Sequence, residues 1–69
     1  MHDPQQPQPT FALGQKVRVI LSERNKTVRI GTIREIIWHY KDHRYNYYLE
    51  VEGKKVSKRY LEADLEGIS

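Results

Sequence analysis

From Lys16 onward the chain alternates. Val17, Val19 and Leu21 fall on one phase and Lys16, Arg18 and Ser22 on the other. Period two with β-branched residues predicts a strand with one buried face. Gly14-Gln15 suits a tight entry, and Glu23-Arg24-Asn25-Lys26 forms a polar connection with a turn-favouring Asn. A second extended run begins at Thr27 and carries Val28, Ile30, Ile33, Ile36, Ile37, Trp38 and Tyr40, residues that fit a pleated surface. The phase that turns Val28 and Ile30 inward would also bury Thr32 and Arg34, whereas Ile33 and Ile36 are the better core residues. Alternation therefore breaks near Gly31, and a bulge or sharp bend is expected within Gly31 to Glu35, letting one long strand curl around a small barrel.

Lys41-Asp42-His43-Arg44 is a polar connection. The third strand places Tyr45, Tyr47, Leu49 and Val51 on one face and Asn46, Tyr48, Glu50 and Glu52 on the other. A two-residue turn at Gly53-Lys54 would set Val51 against Val56, Leu49 against Lys58, Tyr48 against Arg59 and Tyr47 against Tyr60. Lys58 then lands on the inward face, tenable only at the barrel rim with its ammonium in water. After Ser57 two readings compete. One is a helix over Lys58 to Glu66, supported by Leu61, Leu65 and Ile68 at helical spacing. The other extends the strand to Tyr60, then makes a short helical turn at Leu61 to Asp64 and a last brief strand at Leu65 to Ile68. The second fits better, because a hairpin starting at Gly53 needs Val56 to Tyr60 as its partner.

The expected fold is all-β, about five short antiparallel strands with a single helical turn before the last. Phe11-Ala-Leu-Gly-Gln-Lys-Val-Arg-Val, Arg29-Ile-Gly-Thr-Ile and Tyr60-Leu-Glu-Ala-Asp-Leu-Glu carry a resemblance to the small SH3-like β-barrel superfamily. Within it the phrase order looks like small bacterial SH3-like proteins, among them cyanobacterial photosynthetic accessory subunits, and like KOW- and Tudor-type modules. The resemblance spans Phe11 to Ile68 and implies a barrel with a binding role; it does not select a ligand.

Sixty-nine residues allow one domain with a small core. Met1 to Thr10, with three prolines and three glutamines, reads as a disordered, partly polyproline-II tail, and 11–69 as the folded domain. Net charge is +3 overall and +4 from Phe11 on, because the only charged residue of the leader is Asp3. Without cysteine there is neither a disulfide framework nor a thiolate metal site. No apolar run approaches the roughly 20 residues of a membrane helix, and no secretory leader pattern opens the chain, so membrane insertion is not expected and the protein reads as cytoplasmic. Asn25-Lys26-Thr27 matches a glycosylation acceptor by chance. A monomer is the expected state, although an open sheet edge offers a route to a dimer.

No glycine-rich phosphate loop, nucleophile elbow or cysteine nucleophile is present, so no enzyme and no cofactor is expected. His39 and His43 stand four apart across a strand end and a loop, without a third ligand for zinc, and read as two half-exposed histidines. Trp38, Tyr40, Tyr45, Tyr47 and Tyr48 fall within eleven positions, interleaved with His39, Lys41, His43 and Arg44. Tyr47 and Trp38 are assigned to the core, and Tyr48 to the outer face beside Arg59. The candidate binding surface is Tyr40, Lys41, Arg44, Tyr45 and Tyr48 with Lys55, Lys58 and Arg59. Its plainer reading is a set of tyrosines covering a small sheet, with Arg59 resting on Tyr48. The leading functional expectation is a non-enzymatic adaptor or accessory subunit with a protein partner. The alternative is an RNA- or single-stranded-DNA-binding module that stacks bases on these rings and meets phosphates with the basic residues.

Overall fold

The computed structural model describes residues 7–68. Five antiparallel strands form one curled sheet: β1 (Lys16–Val19), β2 (Ile30–His39), β3 (Arg44–Val51), β4 (Lys54–Lys55) and β5 (Leu65–Gly67), in the order β4-β3-β2-β1-β5. A single 3₁₀ turn, Glu62–Asp64, precedes β5. The helical reading of the C-terminal segment is thus replaced by the turn and strand.

Val17, Val19, Ile33, Tyr47, Leu49, Tyr60 and Leu65 are buried inside the curl, joined by Phe11. Burial of each such side chain contributes about 1.5–3 kcal/mol, and with no disulfide this cluster carries the stability. Phe11 meets Tyr47 edge-on at 5.3 Å between centroids.

The expected break in β2 is present. Ile33 faces Leu49 and Glu35 faces Tyr48, leaving Arg34 as the extra residue. Before this bulge the odd-numbered residues Gly31 and Ile33 point inward; after it Ile36 and Trp38 share the inner face with Tyr47 and Tyr45. Gly31 sits where strands cross closely: a Cβ there would come within 2.6 Å of the Glu50 carbonyl oxygen and 2.9 Å of a Val51 methyl.

Several expectations are corrected. Leu21 is 56% exposed, because β1 ends at Val19 and the chain leaves the sheet. Val28 and Ile30 are also exposed, and β2 starts only at Ile30. The β3–β4 turn is Glu52-Gly53, both at positive φ, so Val51 pairs with Lys54 rather than Val56. Tyr47 nevertheless bridges Tyr60 as expected, since Val56 to Arg59 absorb two extra residues between the turn and that bridge. Lys58 consequently does not face Leu49; it is exposed, and its ammonium donates to the Arg24 carbonyl at 3.1 Å. Asn46 lies on the outer phase yet is buried, as is Asn25. Asn25 donates through Nδ2 to Asp64 Oδ1 at 3.1 Å, and Leu61 N donates to Asp64 Oδ2 at 2.9 Å, so one carboxylate ties the β1–β2 connection to the 3₁₀ turn.

Candidate functional site

The chemistry-bearing residues gather where the far ends of β2 and β3 meet the leader. Trp38 and Tyr45 are direct cross-strand partners, with ring centroids 4.9 Å apart at 61°. His43, held at positive φ in the Tyr40–His43 connection, sets its ring 6.3 Å from Trp38. Tyr45 continues the series toward Tyr47 at 6.4 Å, and Tyr47 leads to Phe11 in the core. A row of rings thus runs from an exposed loop to the buried cluster. Trp38, expected in the core, is only half-buried and stands between His43 and Tyr45 in this row.

The leader crosses this row. The Tyr45 hydroxyl donates to the Pro7 carbonyl at 2.6 Å, Thr10 N donates to the Tyr47 hydroxyl at 3.1 Å, and the Thr10 hydroxyl donates to Glu62. Phe11 fixes the direction, because its buried ring draws the preceding residues over the aromatic face. The expected tail covers Met1 to Thr10, of which Met1 to Gln6 lie outside the described residues. Pro7, Gln8, Thr10, Trp38, Arg44 and Glu62 help enclose a depression of about 300 Å³ here. Polar edges of rings, one guanidinium and one carboxylate line it, a surface suited to backbone carbonyls and amides of an extended segment. Burial pushes the Tyr47 phenol above its ordinary value of 10.0, an effect moderated by hydrogen bonding to the Phe11 and Thr10 backbone and reinforced by Glu62 and Tyr45.

The eight residues of the expected surface separate into groups. Arg44 and Tyr45 are at the depression. Tyr40, 69% exposed, and Lys41 project from the adjoining loop. Tyr48 and Lys55 lie together elsewhere: the Lys55 ammonium is 5.3 Å from the Tyr48 ring centroid and 3.1 Å from Glu35 Oε1. Tyr48 therefore has Lys55, not Arg59, over its ring. Lys58 lies 5.5 Å from the Tyr60 ring, and Arg59 is exposed before the Tyr60 bridge. Sequence reasoning missed Pro7, Thr10 and Glu62. The available signal was Pro-Gln-Pro-Thr immediately before a large apolar residue, which places any leader contact next to the core.

Many cations face carboxylates. Arg18 pairs with Glu66, Arg24 with Asp64 at 3.6 Å, Arg34 with Glu50 at 3.1 Å and Arg44 with Asp42 at 3.5 Å. His39 Nδ1 is 3.1 Å from Asp42 Oδ2 without hydrogen-bond alignment. Among the described residues no three His, Cys, Asp or Glu side chains gather as a metal site, and no helix is long and apolar enough to cross a membrane. A second depression, about 370 Å³, is lined by Arg18, Val19, Ile20, Leu21, Val28 and Glu66 and is largely aliphatic.

Searches of curated proteins and of solved structures found no match. One family model, described as "Family of unknown function (DUF6960)", matches residues 4–66 and so includes the leader's end, β1 to β4 and the first two residues of β5. The chain belongs to that family.

Proposed function

We propose that the protein is a small, non-enzymatic binding module of SH3-like barrel type, a cytoplasmic adaptor or accessory subunit that seats an extended segment of a protein partner on the Trp38–Tyr45 depression. The observation that carries this reading is the Tyr45 hydroxyl donating to a backbone carbonyl, that of Pro7, at 2.6 Å. A ring that offers an apolar body and a hydroxyl aimed at main-chain oxygen recognises extended peptide. The strand order β4-β3-β2-β1-β5, with a 3₁₀ turn before the last strand, supports the SH3-like assignment.

The nucleic-acid alternative draws less support. Arg18, Arg24, Arg34, Arg44 and Lys55 each face a carboxylate, which lowers the positive potential available to a phosphate backbone. Lys55 also stands over the outward tyrosine ring that would have to accept a base.

The test is a titration of isotope-labelled full chain with extended decapeptides, some with and some without proline, and separately with a single-stranded RNA decamer. Saturable shifts of the Trp38 indole, His43 and Tyr45 signals with peptide are expected. Salt-sensitive shifts with RNA and none with any peptide would replace this reading with the nucleic-acid one.

A further inference from the structure

The face carrying Tyr45, Tyr47 and Glu62 already holds a peptide, the chain's own, which also walls one side of the depression. Pro7 accepts from Tyr45, Thr10 donates both its amide, to Tyr47, and its hydroxyl, to Glu62, and Pro9 between them is half-buried. Two of the three contacts are to the main chain, at Pro7 O and Thr10 N, and the third is to the Thr10 side chain. The two prolines fix φ near −65°, so this stretch loses little conformational freedom on docking. Pro7, Gln8 and Thr10 remain exposed, which leaves the docked segment open to exchange.

We infer that Pro7-Gln8-Pro9-Thr10 is a built-in ligand: the face formed by Tyr45, Tyr47 and Glu62 recognises proline-bearing segments ending in a hydroxyl residue, and the leader occupies it in competition with a partner's segment of the same chemistry. This rests on the protein-binding reading above and deepens it by naming the partner's chemistry and a self-occluded resting state. Three features define the specificity. The Tyr45 hydroxyl reads a carbonyl that follows a proline ring, the Tyr47 hydroxyl accepts an amide three residues on, and Glu62 accepts from a hydroxyl at that same residue. A tethered segment this close experiences an effective concentration on the order of 1 mM. An incoming segment with an intrinsic Kd of about 0.1 mM would therefore bind the intact chain about tenfold more weakly than an emptied site.

The experiment compares the full chain with its Pro7→Gly/Pro9→Gly variant, using the free decapeptide Met-His-Asp-Pro-Gln-Gln-Pro-Gln-Pro-Thr as probe. Trp38 fluorescence and the Tyr45 and Trp38 amide signals are the readouts. The substitutions lie on exposed or half-buried leader residues outside the strands, and unchanged amide signals for β1 and β5 check that the fold is retained. Loosening the two prolines should weaken the leader about four- to thirty-fold and so tighten apparent binding of the free peptide about three- to eight-fold, below the roughly tenfold ceiling of an emptied site. The same peptide with Thr10 replaced by Val should bind more weakly to both proteins. If proline-free peptides bind both proteins as tightly as the leader peptide does, the inference falls and the protein-binding reading stands. If no peptide shifts these signals at millimolar concentration, both fall. A free-chain Trp38 signal that changes on dilution would overturn docking within one chain in favour of exchange between two copies.

Discussion

Asn25 and Asp64 are joined by a 3.1 Å hydrogen bond between two buried side chains that stand 39 residues apart in sequence. Asp64 also accepts from Leu61 N and lies 3.6 Å from the Arg24 guanidinium. Without the carboxylate, a buried amide and a backbone N–H would both lose their acceptor. Asp64→Ala should destabilise the domain by about 2–4 kcal/mol, and Asn25→Ala by about 1–2 kcal/mol. Urea denaturation of both singles and the double variant checks this, with a double-variant loss well below the sum of the singles.

Gly31 has no space for a side chain, since the Glu50 carbonyl would lie 2.6 Å from its Cβ and backbone cannot swing aside as a flexible side chain does. Gly31→Ala should cost about 1–3 kcal/mol. A thermal melt should show a midpoint lower by roughly 4–8 °C per kcal/mol for a domain of this size. An unchanged midpoint would mean that β2 and β3 separate there without penalty.

Glu52 holds φ at 52° in the two-residue turn, beside Gly53 at 78°. Left-handed backbone at a residue with a long side chain costs about 1 kcal/mol, and Asn before Gly is the favoured choice in such turns. Glu52→Asn should therefore stabilise the protein by about 0.5–1 kcal/mol, raising the denaturation midpoint without changing the denaturant slope.

Burial raises the Tyr47 phenol above 10.0, so the folded state retains a proton that the unfolded chain gives up in alkali. The stability linked to this group is fully present below pH 10 and is lost as pH climbs through the raised folded-state value. Stability measured from pH 8 to 11 should fall once pH passes about 10. Tyr47→Phe should flatten that fall while lowering stability at neutral pH by about 0.5–1.5 kcal/mol for the lost hydrogen bond to Thr10.

Lys55 bridges Glu35 and the Tyr48 ring on an exposed face. Both charged groups are close to half-exposed, so solvent screens the pair. Lys55→Met should change stability by less than about 0.5 kcal/mol in a chemical denaturation curve. Methionine keeps an unbranched apolar stem on the ring, so a larger loss would mean that the ammonium's contacts with Glu35 and the Tyr48 ring contribute more than an exposed pair ordinarily does.

Alternation in Lys16–Val19, the failed phase near Gly31 and the facing set Tyr45, Tyr47 and Leu49 were all legible in the sequence, because each depends on neighbours along a single strand. So was the turn-then-strand ending, which the need of the Gly53 hairpin for a partner favoured over a helix. The sequence by itself thus determined the all-β class, the inward phase of Val17, Val19, Tyr47 and Leu49 and the bend in β2, whereas it ran the first strand on to Leu21, began the second at Thr27 and placed Trp38 in the core. It could not determine the β3–β4 register. Sliding a strand by two residues leaves every side chain on its original face, so the hydrophobic pattern is blind to whether Val51 meets Val56 or Lys54. Nor could it bring Asn25 to Asp64, Lys55 to Tyr48 or Pro7 to Tyr45. Those contacts exist only after the sheet has curled and Phe11 has anchored the leader, so the tertiary structure alone decided which aromatic residues form a site.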